Sequence, residues 1–494
     1  MTAPQQTGPV LRHSPWLALI TIALGYFMNV LDSTVVNVGI PHIMTDLGAA
    51  MGHMLWVVNG YLLPYAMLLL VAGRLGDLLG HRAVFVFGLG VFVVASLLCS
   101  LATAPEQLIA ARVLQGIGAG MAAPQALAIT AAVFPPQRRG MAFGVLASII
   151  GTAAAIGPFL GGLITHVLDW RWIFLMNLPI GVAGLVCTFI FVPKTRLGGR
   201  PRLALLPVVL ATAGLLGVLY TLIDGPRVNW GVIAAGVPIG VVFLLGLVIF
   251  AGFVYWEWSR SDGLLPRALF ANRNYGLMAW ASWATYFCIF GTQLAMTLYL
   301  QAVLHISALE AGLVLSPMWL ASSLVAPLSG ALMQRVQPRW ILVGGFAAFF
   351  LGTVLTALLV SPEAPWGVFV VTLLVAGAGA GFTFAPLTTV AMGEVPPQEV
   401  GGASGTLEMA RMLGSAVATA VVGAVLGGTA ASSLATLSAD SRNALLVTAL
   451  GVAAAIVTTL FLKNGGLPGA APDTQEQHDD TPESAAPAGR PIKP

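Results

Sequence analysis

Four ionisable side chains lie inside otherwise apolar windows of this sequence: Asp32, Arg112, Glu408 and Arg411. A charged side chain at the centre of a bilayer costs roughly 2.5 to 3.5 kcal/mol on insertion scales, so a charge kept there needs a partner or a task. A carboxyl group in such surroundings can bind and release a proton as water reaches it from alternate sides. This functional interpretation makes Asp32 a candidate proton carrier.

The same residues have a purely structural interpretation. Two acids and two bases balance, and Glu408 and Arg411 share one helix face at i, i+3 spacing. Internal ion pairs would satisfy all four charges without any proton transfer. Both interpretations of Asp32 stay open. For Glu408 the alternatives are a role in substrate charge preference or simple pairing with Arg411, and we favour the pair.

Other reaction chemistry is disfavoured by the sequence. It has no Walker loop, His/Glu zinc motif or nucleophile elbow, which argues against ATP-driven transport or hydrolysis within this chain. The glycine runs at 116–120 and 377–381 lack the preceding strand and the acid of a dinucleotide site. We expect no cofactor, no metal and no enzymatic activity, and the sparse charges argue against a nucleic-acid partner.

The elements that must position these residues are membrane-spanning helices. The chain has 494 residues, 57% hydrophobic and 8% charged, against roughly a quarter charged in soluble proteins. About twenty helical residues cross a bilayer. Fourteen such windows occur, near 16–39, 54–72, 83–103, 108–133, 141–167, 172–192, 203–223, 230–254, 274–301, 308–333, 339–360, 365–391, 401–428 and 443–462. The sequence predicts an all-α polytopic membrane protein in contact with the lipid bilayer.

The windows form two groups of six around a central pair. The predicted organisation is a cytoplasmic N-terminus (1–15), a six-helix bundle (16–192), two extra helices with a polar connector (193–273), a second six-helix bundle (274–462) and a disordered cytoplasmic tail (463–494). Two bundles that rock around a central site are typical of duplicated transporters. Loss of the central pair would leave the orientation of both bundles unchanged.

The basic residues predict the orientation. With the N-terminus inside, 17 of the 22 Lys and Arg residues fall in cytoplasmic segments, as the positive-inside rule requires. Both termini should therefore be cytoplasmic, and we expect a monomer.

A short turn after the second window carries the run GRLGDLLGHR at 73–82. Its glycines permit a tight reversal, and Asp77 can cap a helix or pair with Arg82 or another basic loop, which would latch one conformation. A merely solvated loop is the alternative. The candidate gating residues are Gly73, Asp77, Gly80 and Arg82.

The fifth window combines small residues with a proline, at Gly157, Pro158, Gly161 and Gly162. Small residues allow close helix contact, and proline deletes one helix hydrogen bond. This pattern predicts a closely packed, bendable helix.

Tryptophan favours the membrane interface, yet Trp280, Trp283 and Trp319 lie within predicted helices. They either line a cavity or pack between helices. The residues assigned to a candidate substrate cavity are Asn37, Trp283, Gln293, Glu408 and Arg411.

Taken together, residues 14–462 resemble the major facilitator superfamily, specifically its fourteen-span drug:proton antiporter branch of multidrug exporters. The segments that carry the resemblance are LDSTVVNVGIP at 31–41, the 73–82 turn, RVLQG at 112–116, GPFLGG at 157–162, and WRWIF and NLPIG within 170–181. The resemblance implies the major facilitator fold, with two six-helix bundles plus two extra central helices. It also implies proton coupling at Arg112 and an antiporter role for the helix that holds Pro158.

This sequence departs from the branch at several positions. Leu78 and His81 stand where the turn usually has further basic residues, and Ala153 replaces a common glycine. Glu408 precedes Arg411 where the branch often has asparagine. The changes at Leu78 and His81 bear on the latch, and Glu408 bears on substrate charge preference. Ala153 is a small change that the helix can tolerate.

The leading hypothesis is a proton-coupled antiporter that exports amphiphilic drugs or antibiotics across the bacterial cytoplasmic membrane, with Asp32 as carrier. One alternative is a dedicated exporter of a single natural product that confers self-resistance. Three lysines against nineteen arginines indicate a GC-rich bacterial genome, of the kind that often encodes such export. A non-transporting membrane sensor is the alternative from another class.

Overall fold

The computed structural model describes residues 14–194, 205–233, 236–259, 267–333, 335–393, 395, 400–426 and 434–462. Their regular structure is helical, apart from one isolated β-bridge between Val232 and Pro238. The helices are α1 (Pro15–Leu47), α2 (Met51–Leu79), α3 (His81–Ser100), α4 (Pro105–Val133), α5 (Pro136–Val167), α6 (Trp172–Leu175), α7 (Asn177–Phe191), α8 (Leu205–Asp224), a 3-10 turn (Pro226–Val228), α9 (Ile239–Trp258), α10 (Arg267–Ala271), α11 (Arg273–Ala302), α12 (Ala308–Leu332), α13 (Pro338–Leu359), α14 (Gly367–Met392), α15 (Val400–Leu426) and α16 (Leu434–Leu460). The predicted all-α class is confirmed.

Ten helices in the described part of the chain are long and apolar enough to cross a membrane: α1, α3, α6 with α7, α8, α9, α12, α13, α14, α15 and α16. Helices α2, α4 and α11 are 29, 29 and 30 residues long, which is also enough to cross a membrane. They carry the buried amides of Asn59, Gln115, Gln125 and Gln293. These amides lie inside the protein and not against lipid, where an unpaired polar group is costly.

Helices α1 to α7 form one bundle and α11 to α16 form another. In the first, α4 packs against α2 and α3, and α1 against α5; in the second, α14 packs against α12 and α13, and α11 against α15 and α16. The two bundles meet along α5 with α12 and along α2 with α15. Glycines allow the first contact, because a Cβ on Gly162 would meet the Ala308 carbonyl and one on Gly312 would meet the Pro158 carbonyl.

The α8–α9 hairpin lies outside both bundles. Its two helices pack on each other at Gly214 and Gly246, where a Cβ would lie 2.7 Å from Phe250 N and 2.9 Å from Gly214 O, respectively. Helix α8 contacts both α2 and α15. Trp56 Nε1 on α2 donates a hydrogen bond to Asp224 Oδ2 at 3.1 Å. The hairpin therefore spans the seam between the bundles.

Several boundaries differ from the sequence expectation. Helices α1 and α2 end at Leu47 and Leu79 rather than near 39 and 72, and α16 begins at Leu434 rather than near 443. The eighth predicted helix begins at Ile239 rather than near 230, because Asn229 and Trp230 adopt positive φ angles and form a turn. The sixth predicted helix is divided at Met176 into α6 and α7. The predicted tail at 463–494 and residues 1–13 lie outside the described residues.

Candidate functional site

Asp32 lies in the middle of α1, which begins with Pro15 at its first turn and ends at Gly48 in the left-handed conformation. The Asp32 side chain is 0% exposed. Its carboxylate accepts hydrogen bonds from Arg112 Nη1, from Gln115 Nε2 at 3.0 Å and from Asn177 Nδ2 at 3.0 Å. Three helices, α1, α4 and α7, thus converge on one buried carboxyl group.

Arg112, on α4, is as deeply buried as its partner, with 1% exposure. Its Nε donates to Val57 O at 3.1 Å and its Nη1 to Gln115 Oε1 at 2.6 Å. The guanidinium carbon lies 4.3 Å from the centre of the Tyr61 ring, a cation–π geometry. The cation is therefore held by α1, α2 and its own helix together.

This arrangement is a desolvated ion pair with additional hydrogen bonds. Each of the two charges needs the other, because a buried charge without its partner is strongly destabilising. A proton on Asp32 would cancel its charge and release Arg112 for other acceptors. The ion pair that the structural interpretation requires is present between these two residues.

Gln115, Asn177 and Ser96 complete this site, and the sequence did not single them out for a role. Gln115 Nε2 also donates to Ser96 Oγ at 2.9 Å, and Asn177 Nδ2 lies 3.4 Å from the same hydroxyl. Gln115 is three residues after Arg112, so its position on the same helix face was a usable signal. Asn177 is neutral and 145 residues from Asp32, so its only signal was its place at the start of the NLPIG segment that carries the family resemblance.

The second charge pair lies on α15. Arg411 Nη1 is 3.2 Å from Glu408 Oε2, and Arg411 Nη2 donates to Thr388 Oγ1 on α14 at 3.1 Å. The two charged side chains are 19% and 16% exposed, respectively. Tyr26 on α1 donates to Glu408 Oε1 at 3.4 Å, and the guanidinium carbon lies 5.7 Å from the Tyr286 ring centre. Glu408 thus pairs with Arg411 and also contacts the other bundle.

Of the remaining predicted cavity residues, Gln293 and Asn37 are buried and Trp283 is partly buried. Gln293 Nε2 donates to Thr34 O at 3.2 Å and its Oε1 accepts from Trp319 Nε1 at 3.2 Å, so it joins the two bundles. Asn37 is 1% exposed and donates to Ser33 O of its own helix at 3.2 Å. Trp283 stacks along α11 between two other rings, with centroids 4.9 Å from Trp280 and 5.1 Å from Phe287.

In the predicted gating turn, Gly80 joins α2 to α3. Its φ of 95° lies in a region that favours glycine. Arg82 donates to Val192 O at 2.7 Å and to Phe189 O at 2.9 Å, at the C-terminal end of α7. Arg82 is therefore engaged within its own bundle. The side chain of Asp77 lies outside the described residues, and a Cβ on Gly73 would meet nothing within 4 Å.

The glycines of α5 sit at close helix contacts, as predicted. A Cβ on Gly157 would collide with Thr34 Oγ1, and one on Gly161 would lie 2.8 Å from Val35 O. These two residues press α5 against α1, whereas Gly162 and Pro158 face α12. Helix α5 therefore links the helix of Asp32 to the opposite bundle.

Two bundles of apolar helices that hold one buried and one partly exposed charge pair are typical of a multi-pass membrane transporter. A family model described as Major Facilitator Superfamily matches residues 22–419 and 278–493. The chain therefore belongs to the Major Facilitator Superfamily, whose members are transporters and not enzymes. The superfamily predicted from the sequence is confirmed.

Relatives agree with this assignment. The chain is 34% identical over 463 residues to the probable actinorhodin transporter of Streptomyces coelicolor, covering 91% of this chain and 79% of the relative. It is 32% identical over 417 residues to the multidrug resistance protein Stp of Mycobacterium tuberculosis, covering 84% and 76%. A solved bacterial homologue of the human lysosomal transporter Spinster has a TM-score of 0.61 and 15% identity over 90% of this chain and 95% of that one, a likeness of fold.

Proposed function

We propose that this transporter is a proton-coupled antiporter that exports amphiphilic drugs or antibiotics across the bacterial cytoplasmic membrane. The observation that carries the proposal is the Asp32–Arg112 pair, which is buried in the first bundle and held by Gln115 and Asn177. This ion pair can be broken by a proton that binds Asp32, or by another group that competes for one of the two charges. Relatives named for actinorhodin transport and multidrug resistance support an export direction and this substrate class.

Asp32 acts as the proton carrier in this mechanism. With Asp32 ionised, Arg112 binds it and α1 and α4 are held together. Protonation removes the attraction and frees Arg112, so the bundle gains a second arrangement with different contacts. Proton and drug can then drive each other only through their differential affinities for the two arrangements.

The proposed substrate cavity is centred on Glu408 and Arg411. Both are partly exposed, and aromatic rings border them: Tyr286 lies beside Arg411, and its ring centre is 6.2 Å from that of Phe384. Adjacent aromatic faces and a balanced charge pair suit a flat amphiphilic molecule, which has an apolar face and polar groups along one edge. We also assign Gln293 and Trp283 on α11 and Asn37 on α1 to this cavity.

Fourteen spans with both termini cytoplasmic form the proposed topology. The ten apolar helices, together with the long helices α2, α4, α5 and α11, account for this number. The orientation follows from the distribution of Lys and Arg. Cysteine labelling from each side of the membrane tests it, and we expect a monomer by light scattering in detergent.

The test uses everted membrane vesicles with an acidified lumen. Addition of ethidium, puromycin or a polyphenolic quinone should raise the lumen pH when the protein is present. Asp32→Asn should abolish this response, whereas the exposed Glu363→Gln should behave as wild type. Full coupling by Asp32→Asn would refute the carrier role of Asp32.

A dedicated exporter of one natural product is the second candidate. The similarity to the probable actinorhodin transporter favours it. Growth inhibition by a panel of unrelated compounds separates the two candidates: protection against many structural classes supports multidrug export, and protection against one aromatic polyketide class alone supports dedicated export.

A further inference from the structure

We propose that Tyr26 and Glu408 form the route by which a proton passes between Asp32 and the partly exposed space at the second charge pair. The inference rests on the proposed function and deepens it. It assigns Glu408 a proton-transfer role beyond its pairing with Arg411, and it makes Tyr26 the link between the two bundles.

The first observation is a stripe of polar side chains along α1. Tyr26, Asn29 and Asp32 follow one another at three-residue spacing and are 7%, 2% and 0% exposed, respectively. Each step along the helix is a rise of about 4.5 Å, the separation that one intervening water molecule spans. Buried polar groups in an apolar helix are costly unless they have partners or a task.

The second observation is that this stripe ends on the carboxylate of the opposite bundle. The Tyr26 hydroxyl donates to Glu408 Oε1 at 3.4 Å and is hydrogen-bonded to Tyr65. Tyr61 donates to Asn29 O at 3.1 Å, and its ring covers the guanidinium of Arg112. Polar contacts therefore lead from the first charge pair to Asn29 and from the second to Tyr26, which are one step apart in the stripe.

The third observation is the difference in accessibility between the two acids. The side chain of Asp32 is 0% exposed, whereas that of Glu408 is 16% exposed. Between them, Asn29 Oδ1 is buried and accepts no hydrogen bond from any described residue. Because Asn29 lies between Asp32 and Tyr26 in the stripe, this unpartnered acceptor is available to a water molecule placed between the two.

The transfer balances with water as the one co-reactant. Protonated Asp32 gives its proton to a water molecule that Asn29 Oδ1 orients, and this water passes a proton to the Tyr26 hydroxyl oxygen. Tyr26 simultaneously releases its own proton to Glu408 Oε1. Asp32 is left as the carboxylate that binds Arg112, and Glu408 becomes a neutral acid. Glu408 then loses the proton to water and binds Arg411 again, which is the arrangement that the structure holds.

The charged and titratable groups around the two ends are few in the described part of the chain. Asp32 faces Arg112, with Tyr61 and Cys99 nearby. Glu408 faces Arg411, and its titratable neighbours on the packed helices are Tyr26, Tyr65 and Tyr286.

The test compares two measurements on Tyr26→Phe and Glu408→Gln in purified proteoliposomes. One is the rate at which a panel compound transported by the wild type dissipates an imposed pH gradient. The other is exchange of the same radiolabelled compound at equal concentrations without a gradient, which requires no net proton transfer. Tyr299→Phe is the matched control, since its partly buried hydroxyl donates to Ser361 O just beyond the end of α13, away from both charge pairs.

We expect both variants to slow gradient dissipation about a hundredfold or more, the range of a lost proton-transfer group. Tyr26→Phe, whose residue is not among those assigned to the substrate cavity, should keep exchange within about twofold of wild type. Wild-type dissipation by both variants would overturn the route. Loss of exchange and dissipation in Glu408→Gln, with unimpaired dissipation in Tyr26→Phe, would limit Glu408 to its role in the substrate cavity and would also overturn the route. The Asp32→Asn variant distinguishes failure of the proposed function from failure of this route. If the proposed function is wrong, Asp32→Asn still couples substrate to protons.

Discussion

A methyl group added at Gly312 should separate the two bundles at the end where they now touch. Gly312 on α12 faces the backbone of Pro158 on α5, and a Cβ there would lie well inside 3.0 Å of the Pro158 carbonyl. Backbone cannot move aside as a flexible side chain can. Gly312→Ala therefore forces α5 and α12 apart by roughly 1 Å, an overpacking that costs about 1–3 kcal/mol.

This cost falls only on the arrangement in which the helices touch. If the bundles alternate between touching and separated at this end, the population of the separated form should rise about 5- to 150-fold. Its signature is access to Val38 on α1, which is 0% exposed and whose carbonyl accepts from Gln301 Nε2 at 3.1 Å. This contact lies at the same end of the molecule as Gly312.

The assay is the labelling rate of Val38→Cys by a maleimide, in a background where the three native cysteines are alanine. Gly312→Ala should raise this rate, and Gly162→Ala at the same seam should do likewise. Gly344→Ala on α13 is the matched control, because a Cβ there meets nothing within 4 Å. Equal labelling rates in a monodisperse Gly312→Ala protein and in the control would refute the reasoning.

Arg112→Leu leaves the buried Asp32 carboxylate without its cation, so scanning fluorimetry in detergent should show a loss of about 3–5 kcal/mol in unfolding free energy. Adding Asp32→Asn should recover part of that loss, and a fully additive double variant would contradict the pairing. Trp56→Phe removes the indole donor that holds α8, a hydrogen bond to a charged acceptor worth about 1.5–3 kcal/mol, and should speed trypsin cleavage after Arg227; an unchanged rate would show that the hairpin is held otherwise. Arg82→Gln removes two charge-assisted bonds to the end of α7 and should lower stability by about 1.5–3 kcal/mol, with Arg82→Lys intermediate; equal stability of all three proteins would count against these bonds.

The helices were largely predictable because a bilayer imposes both length and apolarity on each span. The boundaries failed where local conformation overrides composition. Residues 230–238 are apolar enough to extend a helix, but the positive φ angles at Asn229 and Trp230 turn the chain before Pro238. The break at Met176 has a different origin: Asn177 is drawn into the first bundle by its bond to Asp32, a tertiary demand that no local pattern encodes.

The charged members of the site were predictable, and their neutral partners were not. Asp32 and Arg112 stand out because a charge in an apolar span is costly. A single Asn or Gln costs far less and occurs in many helices, so only the fold identifies Asn177 as a ligand of the carboxylate. Arg82 was predictable as a charged residue, but its partners were not. It donates to backbone carbonyls of α7 and Val192 in its own bundle, and its charge alone could not distinguish these partners from an acidic side chain.

The α8–α9 hairpin has a mechanical consequence. A hydrogen bond from Trp56 to Asp224 holds it to α2, and α8 also contacts α15 of the other bundle. If this hydrogen bond is kept while one bundle rotates against the other, the hairpin moves with α2. The contact between α8 and α15 then has to change. A chain segment inserted between the halves can in this way remain attached throughout the cycle without resisting it.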